Sequence, residues 1–402
     1  MHTQQTVTFD GATAQIHTFK ASDQAGNGTS SSPVEKTVAD ASPVEEIHAM
    51  LHVSDATLPY EEQLDALQRA YAALLGQIGT DALPVFKRFF LSDAANQASL
   101  LLSHEIDDPM GALSIVQQPP LDGTKIALWV YMLRGVKAQA VPGTQLFEAT
   151  HNGYRHLWAG AYCSKEEDSE AQTTIIFNTY ILELAAQNCT LSENCVRTWF
   201  YVSDIDNRYA GMVRARNAVF ETQGLTEQTH YIASTGIGGI GADPKSFVHM
   251  DAYAVSGLQP GQIQHLYAAD HLNRTSEYGV RFERGTVVHY GDRDQIFISG
   301  TASINEKGQI IHTGDIRRQT ERTLENIGAL LAEAGATFDD VEQMIVYLRD
   351  HADYAVVSRL IAERFPDKPV IIVNAPVCRP GWLIEVECMA ARPAHNPQYA
   401  AF

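Results

Sequence analysis

The sequence predicts an α/β (α+β) fold built from tandem modules, each a mixed sheet with helices on one face. Two observations carry this. Segment 196–220 aligns without gaps on segment 341–365, 145 residues further on, matching Val196 with Val341, Tyr209 with Tyr354, Ala210 with Ala355, Arg214 with Arg359 and Phe220 with Phe365. Each aligned segment also sits in the same order of elements: strand, helix, strand, helix, strand. Such alternation folds as a sheet with helices against one face, and two copies side by side leave a cleft between them.

Taken in chain order, 21–42 is rich in Ser, Thr, Ala, Gly and Asp without an apolar period, so residues 1–44 are expected to be a flexible extension. Segment 61–78 has helical spacing through Leu64, Leu67, Ala70, Leu74 and Leu75. Segment 126–133 is a strand-like apolar run. In the first copy, a strand around 157–160 precedes a helix over 173–188, then the aligned strand and helix, then a strand over 247–255. In the second, a strand around 297–300 precedes a helix over 316–334 that stops at Gly335, and a strand over 383–391 closes the module. The expected boundaries are 45–255 for a diverged amino-terminal half and 256–402 for a carboxy-terminal half.

The chain has 402 residues, 45% hydrophobic and 19% charged, with a formal net charge of -19 at pH 7. Nucleic acid and anionic membranes are poor partners for so acidic a surface. An anionic substrate requires arginines gathered locally in a cleft. No apolar run is long enough to span a bilayer, and the polar start lacks the pattern of a signal peptide. Cys163, Cys189, Cys195, Cys378 and Cys388 are odd in number, scattered and without a C-x-x-C pair. They read as reduced thiols of a cytoplasmic protein.

The second copy carries Ile298-Ser-Gly-Thr301, the helix containing Thr320-Glu-Arg-Thr-Leu-Glu-Asn-Ile327, Val346-Tyr-Leu-Arg-Asp350 and Ile384-Glu-Val-Glu-Cys388, in that order. In these it resembles the YjgF/Rid family, trimers with a ligand cleft between neighbouring subunits, most of them imine or enamine hydrolases. Those hydrolases hold the substrate carboxylate with an arginine shortly after a Phe-Pro pair. Here Phe365-Pro366 is followed by Asp367, Lys368 and Pro369, and lysine does not replace a bidentate arginine. From about residue 45 the chain is similar to the chorismatase family, through Tyr201, Arg208, Tyr267, Tyr278-Gly-Val-Arg281, Arg284, Ser299-Gly-Thr-Ala-Ser303 and Cys378-Arg379 ahead of Glu385.

That resemblance implies cleavage of the enolpyruvyl ether of chorismate, a dianion, to pyruvate plus a hydroxybenzoate or a dihydroxycyclohexadiene carboxylate. It implies Glu385 as the acid that protonates the enol methylene. Arg208 and Arg284 are then the carboxylate clamps, with Tyr201 and Tyr267 as hydroxyl donors. Cys378 and Ala302 lie where the family varies with product, and the cysteine points to 3-hydroxybenzoate. No cofactor and no metal are needed for this chemistry. On the residues alone, Glu385 and Glu387 share one face of an alternating strand, and a second carboxylate nearby raises the pKa of the first. His249 falls near the equivalent place in the first copy. Arg281, Arg379, Arg214 and Arg216 are further basic groups, the last two matching the solvated face of a helix.

Three motifs lead elsewhere and fail. Ser234-Thr-Gly-Ile-Gly-Gly-Ile-Gly241 does not fit a phosphate loop or dinucleotide fingerprint and is expected to form a turn or a wall of the first cleft. His265, His271, His289 and His312 lack metal-ligand spacing. Asp204 and Asp206 lack the remaining ligands of a calcium loop. The alternatives to a chorismatase are a Rid-type imine or enamine deaminase and a non-catalytic small-anion binding protein. The expected assembly is a monomer or a homotrimer.

Overall fold

The computed structural model describes residues 1–21, 43–105 and 110–402. The tandem arrangement holds, with three modules rather than two. The first sheet contains β1 (His2–Phe9), β2 (Ala12–Lys20), β3 (Glu45–Val53), β4 (Ala82–Leu91), β5 (Ala112–Gln117) and β6 (Ile126–Arg134), with helices α1 (Tyr60–Ile78) and α2 (Ala94–Glu105). The second contains β7 (Lys137–Ala140), β8 (Leu146–His151), β9 (Tyr154–Cys163), β10 (Cys195–Val202), β11 (Ala233–Gly238) and β12 (Val248–Ser256). Its helices are α3 (Ser169–Ala186), the single turn α4 (Leu191–Asn194) and α5 (Ile205–Thr222). The third contains β13 (Ile263–Leu266), β14 (Gly285–His289), β15 (Arg293–Ala302), β16 (Val341–Leu348), β17 (Val370–Asn374) and β18 (Ile384–Pro393), with α6 (Ile316–Glu333) and α7 (Tyr354–Arg364).

Strand order is the same in all three: β1-β2-β3-β6-β4-β5, β7-β8-β9-β12-β10-β11 and β13-β14-β15-β18-β16-β17. Two expected boundaries are therefore corrected. Residues 2–20, assigned to a flexible extension, are two paired strands. Ala12, Ala14 and Ile16 are buried at every second position, a period of two too short to stand out beside the polar stretch that follows. The rest of that stretch, 22–42, lies outside the described residues. The half assigned to 45–255 holds most of one module and the whole of another.

The modules join in a ring by one repeated device. The short last strand of each sheet bridges to the loop ahead of the next sheet's long return strand. Gln117 meets Ile240, Ile237 meets Val377, and Val373 meets Pro120. Two apolar clusters belong to single modules, between the first sheet and its helices and between the second sheet and its helices. The largest cluster joins all three modules, with Trp129, Trp158 and Trp199 essentially solvent-free at the centre. Trp158 stacks on Tyr253 at 4.3 Å, and Phe86 lies 5.3 Å from Trp129. Aromatic contacts of this kind add about 0.5–1.5 kcal/mol each beyond area burial. Among the described residues no helix is long and apolar enough to cross a membrane.

Candidate active site

Between the second and third modules lies a cavity of about 280 Å³. The second module supplies one wall from α5, with Tyr209 and Arg216, and from β11, with Ser234 and Gly236. The third supplies Phe282 and Arg284 ahead of β14, Gly300 and Ala302 on β15, and Cys378, Arg379, Trp382 and Glu385 around the start of β18. Backbone contacts set the two walls in register. Ser299 Oγ accepts from Ser234 N (2.9 Å) and donates to Glu283 O (2.6 Å), and Gly300 N donates to Thr235 Oγ1 (2.8 Å). The register of β15 against β18 shifts between Ile298 and Thr301, a bulge that re-aims the strand beside the cavity.

Glu385 sits on β18, paired with Ala302 on one side and Tyr347 on the other. The strand is internal to the sheet, so the two glutamates are not solvated edge residues. Glu385 is 5% exposed and Glu387 1%. Burial pushes the Glu385 carboxyl up to about 8, with help from the Glu387 charge, against the pull of Arg197 and Arg284. A methyl group on Gly300 would stand 2.1 Å from Glu385 Oε1, so the glycine lets the carboxyl lie close against β15, and a larger residue would displace it. Glu387, on the same strand face, is not among the residues that line the cavity. It accepts from Arg197 Nη2 (2.8 Å), Trp199 Nε1 (2.8 Å) and the Thr235 hydroxyl.

Three arginines line the same cavity. Arg284 is 5% exposed and held by Asn273, through its carbonyl (3.0 Å from Nη2) and Oδ1 (3.2 Å). Arg216 is 1% exposed, with its guanidinium 5.8 Å from the Phe282 ring. Arg379 lies over Trp382 at 4.9 Å. Burial pushes the Cys378 thiol up to about 12, so it lines the cavity as a neutral, small side chain.

The structure brings together four of the seven residues singled out from sequence: Glu385, Arg284, Cys378 and Ala302. It places the other three elsewhere. Tyr201 is 1% exposed and donates to Asp251 Oδ2 (3.2 Å) at the centre of the molecule; it shares a strand face with Trp199, and that face turns inward. Arg208 binds Ser203 through its carbonyl (3.4 Å) and Oγ (2.7 Å), 3.9 Å over Phe247, clearing the cavity by its place in the first turn of α5. Tyr267 lies under Arg274 (4.6 Å) in a small recess on the far side of Phe282 and Arg284.

Sequence reasoning set Arg216 aside as part of a solvated helix face, named Arg379 only as a further basic group, and met Tyr209 only as a mark of the repeat. The signal for Arg216 was present: it falls in line with the buried Met212 and Phe220 of α5, where helical spacing calls for an apolar residue. Arg214 is the solvated residue of the pair, bound to Glu170 (2.8 Å). The glycine-rich segment does form a wall, that of β11. His249 occupies the place of Glu385 in the second sheet, paired with Cys163 and Tyr201, and burial lowers its pKa to about 4. The space in front of it is filled, since a methyl group on Gly241 would stand 2.1 Å from His249 Nε2.

Among the described residues one trio has metal-ligand spacing: Glu46, His48 and Glu342, all buried, with candidate atoms within 4.8 Å of one another. Its chemistry does not fit a metal. Trp129 Nε1 donates to His48 Nδ1 (3.2 Å), which leaves the ring proton on Nε2, the nitrogen facing Glu342. Glu46 is already taken by Arg293 (2.8 Å), Tyr131 (2.7 Å) and Gln295 (2.8 Å).

The fold and cavity define an α+β protein of tandem Rid-like modules with a ligand-sized cleft between two of them. The family model described as Endoribonuclease L-PSP matches residues 285–392, the third module. The 3-aminoacrylate deaminase RutC of Acinetobacter baylyi is 34% identical over 97 residues, 24% of this chain and 77% of that protein. A RutC family protein of Pyrococcus abyssi is 41% identical over 98 residues, 24% of this chain and 76% of that one. A crystal structure of a chorismatase superposes with a TM-score of 0.60 at 20% identity, covering 77% of this chain and 93% of the other. The chain belongs to the YjgF/Rid family of RutC and Endoribonuclease L-PSP proteins, and over 77% of its length its fold is similar to that of a chorismatase.

Proposed function

We propose that this protein is a chorismatase, cleaving the enolpyruvyl ether of chorismate to pyruvate and a hydroxybenzoate or dihydroxycyclohexadiene carboxylate. The observation that carries the reading is Glu385: a buried carboxyl still protonated at neutral pH, facing a cavity lined by Arg216, Arg284 and Arg379 in a chain of net charge -19. Arginines are what a dianion with two carboxylates requires, and each planar fork can take one carboxylate bidentately. Glu385 transfers its proton to the enol methylene, forming a C–H bond and leaving an oxocarbenium-like carbon. Water adds to that carbon and gives up a proton; the hemiketal then breaks its bond to the ether oxygen, which stays on the ring and takes a proton, releasing pyruvate and the dihydroxycyclohexadiene carboxylate, whose loss of water gives the hydroxybenzoate. The carboxylate left on Glu385 is stabilised by Arg197 and Arg284, the same two cations that pull its pKa down. Cys378 and Ala302, on one side of the cavity, shape where the intermediate is attacked. The cysteine supports 3-hydroxybenzoate as the product.

No step calls on a redox cofactor. Five unpaired cysteines accord with a reducing, cytoplasmic setting. Three modules in one chain satisfy the contacts that Rid trimers make between chains, which favours a monomer.

The relation of the third module to RutC favours a second reading, imine deamination. Against it, Lys368 follows Phe365-Pro366 where the deaminases carry arginine, and its ammonium is bound to Val341 O (2.9 Å) and Asp339 O (3.3 Å). A lactate-dehydrogenase-coupled assay for pyruvate from chorismate, with chromatography of the ring product, tests the first reading. Pyruvate release no faster than from Glu385→Gln removes it. Ammonia release from an imine in the same preparation would then establish the second, and neither activity would leave a small-anion binding protein.

A further inference from the structure

The centre of the molecule, where the three sheets meet, holds charge that stability does not explain. Strand register fixes three equivalent pairs there: Arg88 with Trp129, Trp199 with Asp251, and Ile345 with Glu387. Two modules thus present a carboxylate, and the module without one presents a cation at the facing position. Arg88 is fully buried. Its Nε and Nη2 donate to Asp251 Oδ2 (3.2 and 2.9 Å), while Nη1 lies 3.7 Å from Glu387 Oε1. The rings of Phe86, Trp129, Trp199 and Tyr201 surround its guanidinium within 5.4 Å. Replacing a buried ion pair by well-packed apolar residues is often neutral or stabilising, so keeping this one points to another role.

Glu387 stands two residues from Glu385 on the same strand face. The other charged or titratable groups around Glu385 are Arg197 on β10, Tyr209 and Arg216 on α5, Arg284 ahead of β14, Tyr347 on β16, and Cys378 and Arg379 ahead of β18. We propose that Arg88 and Asp251 are positioning residues for the acid: the first module, none of whose described residues lines the cavity, sets through Arg88 and its partner Asp251 of the second module how much of the Glu387 charge reaches Glu385. The proposal deepens the reading of Glu385 as proton donor and rests on it. Without Arg88, two buried carboxylates lose a counter-charge, and Glu385 holds its proton more tightly. Without the Asp251 charge, Arg88 acts in full on Glu387, and Glu385 releases its proton more readily. Loss of packing alone cannot move one acid in two directions.

The test is the pH dependence of kcat/KM for pyruvate release from chorismate. The wild type loses activity as pH rises through the value of its acid. Arg88→Met is expected to move that limb to higher pH and Asp251→Asn to lower pH, each by about half to one unit, as expected for a buried charge one carboxylate removed from the acid. Either single variant can fail to fold, so two double variants carry the same comparison. Arg88→Lys with Asp251→Asn keeps the cation alone, and its limb should lie below that of Arg88→Met with Asp251→Asn, which keeps neither charge. Limbs that stay together, or that move the same way, overturn the proposal. Infrared titration of the carboxyl band, as the difference between each variant and its Glu385→Gln derivative, follows the same proton without substrate. Opposite infrared shifts with no chorismate turnover would uphold the coupling while refuting the proposed reaction.

Discussion

In the cleft between the second and third modules, the residue paired with Ala302 and Tyr347 is Glu385. In the cleft between the third and first modules, the residue paired with His52 and Phe90 is Ala127. The two clefts have similar backbones and similar room, about 280 and 360 Å³. Tyr209 lines one and Tyr354, its partner in the repeat, lines the other. Arg216 lines the first, and Ile361, 145 residues on, lines the second. Cys378 stands seven residues ahead of Glu385, and Pro120 seven ahead of Ala127. Gln15 lines the second cleft on β2 but is engaged, through Oε1, by Val370 N (3.1 Å). His52 and Asp122 face each other there at 3.4 Å and answer one another's polarity. The module backbone makes a cleft, and an acid with arginines makes a site. Among the described residues, the first cleft is lined by Glu385 with three arginines and the second by no arginine.

The largest expected effect is on the acid. Glu385→Gln keeps shape but cannot deliver a proton, so kcat should fall by at least roughly 10²-fold, the low end for general acid catalysis, with substrate binding little changed. Glu387→Gln should be milder. Adding Ala127→Glu to Glu385→Gln should restore nothing, because the second cleft has no arginine among its lining residues. Paired turnover and equilibrium-binding measurements check all three, and near-normal turnover in folded Glu385→Gln would falsify the mechanism.

Next come the clamps. Arg284→Ala and Arg216→Ala should each weaken binding by roughly 2 to 5 kcal/mol, the range for truncating one partner of a buried charge pair. Arg208→Ala, which clears the cavity, should keep ordinary constants. The reverse pattern in KM would move the substrate out of this cleft and toward α5's first turn.

The acid also leaves a mark on stability. Its folded value, about 8, lies above its ordinary value of 4.5, so the folded state binds this proton more tightly than the unfolded one. Its contribution is fully present below about 4.5 and is lost as pH rises through about 8. Glu385→Gln should accordingly raise Tm at pH 8.5 by a few degrees relative to wild type and change it little at pH 4.5. An equal shift at both pH values would show that Glu385 ionises normally in the folded protein. Cys378→Val should alter the ratio of hydroxybenzoate to dihydrodiol while pyruvate release persists, and an unchanged ratio would reduce Cys378 to packing. The smallest effect is expected in the second cleft, where His52→Ala should leave chorismate turnover within about twofold, as for a residue outside the reacting geometry.

The fold was legible where the repeat kept its aromatic marks. Tyr209 with Tyr354 and Phe220 with Phe365 exposed two modules. The first escaped because α2 carries no counterpart of those aromatic residues, and because the polar 22–42 stretch separates β2 from β3 in the sequence. Alternation on β18 put Glu385 and Glu387 on one face between apolar neighbours, but it equally fitted two solvated edge residues; the family resemblance singled out Glu385, and the burial of both came only with the fold. Of the clamp and donor candidates, Arg284 lies at the cavity, while Tyr201 and Arg208 lie elsewhere because strand facing and helix phase depend on the central junction, which involves residues as far apart as Arg88 and Asp251. Arg216 was passed over because a basic residue beside another basic residue on a helix resembles a wet face until the partner module covers it.

The ring of three modules within one chain has a consequence for how such proteins can change. In a trimer of identical subunits, any substitution is written three times, so a cleft cannot gain an acid unless all clefts gain it. Linking the modules covalently removes that repetition. One copy can carry Glu385, another His249 behind a glycine that fills its space, and a third Ala127. The first and second modules need not be neutral passengers, since each can carry a residue that a symmetric trimer could not assign to one position alone. Arg88 is such a position: a cation that would repel its own images if repeated around the threefold axis is harmless when it occurs once.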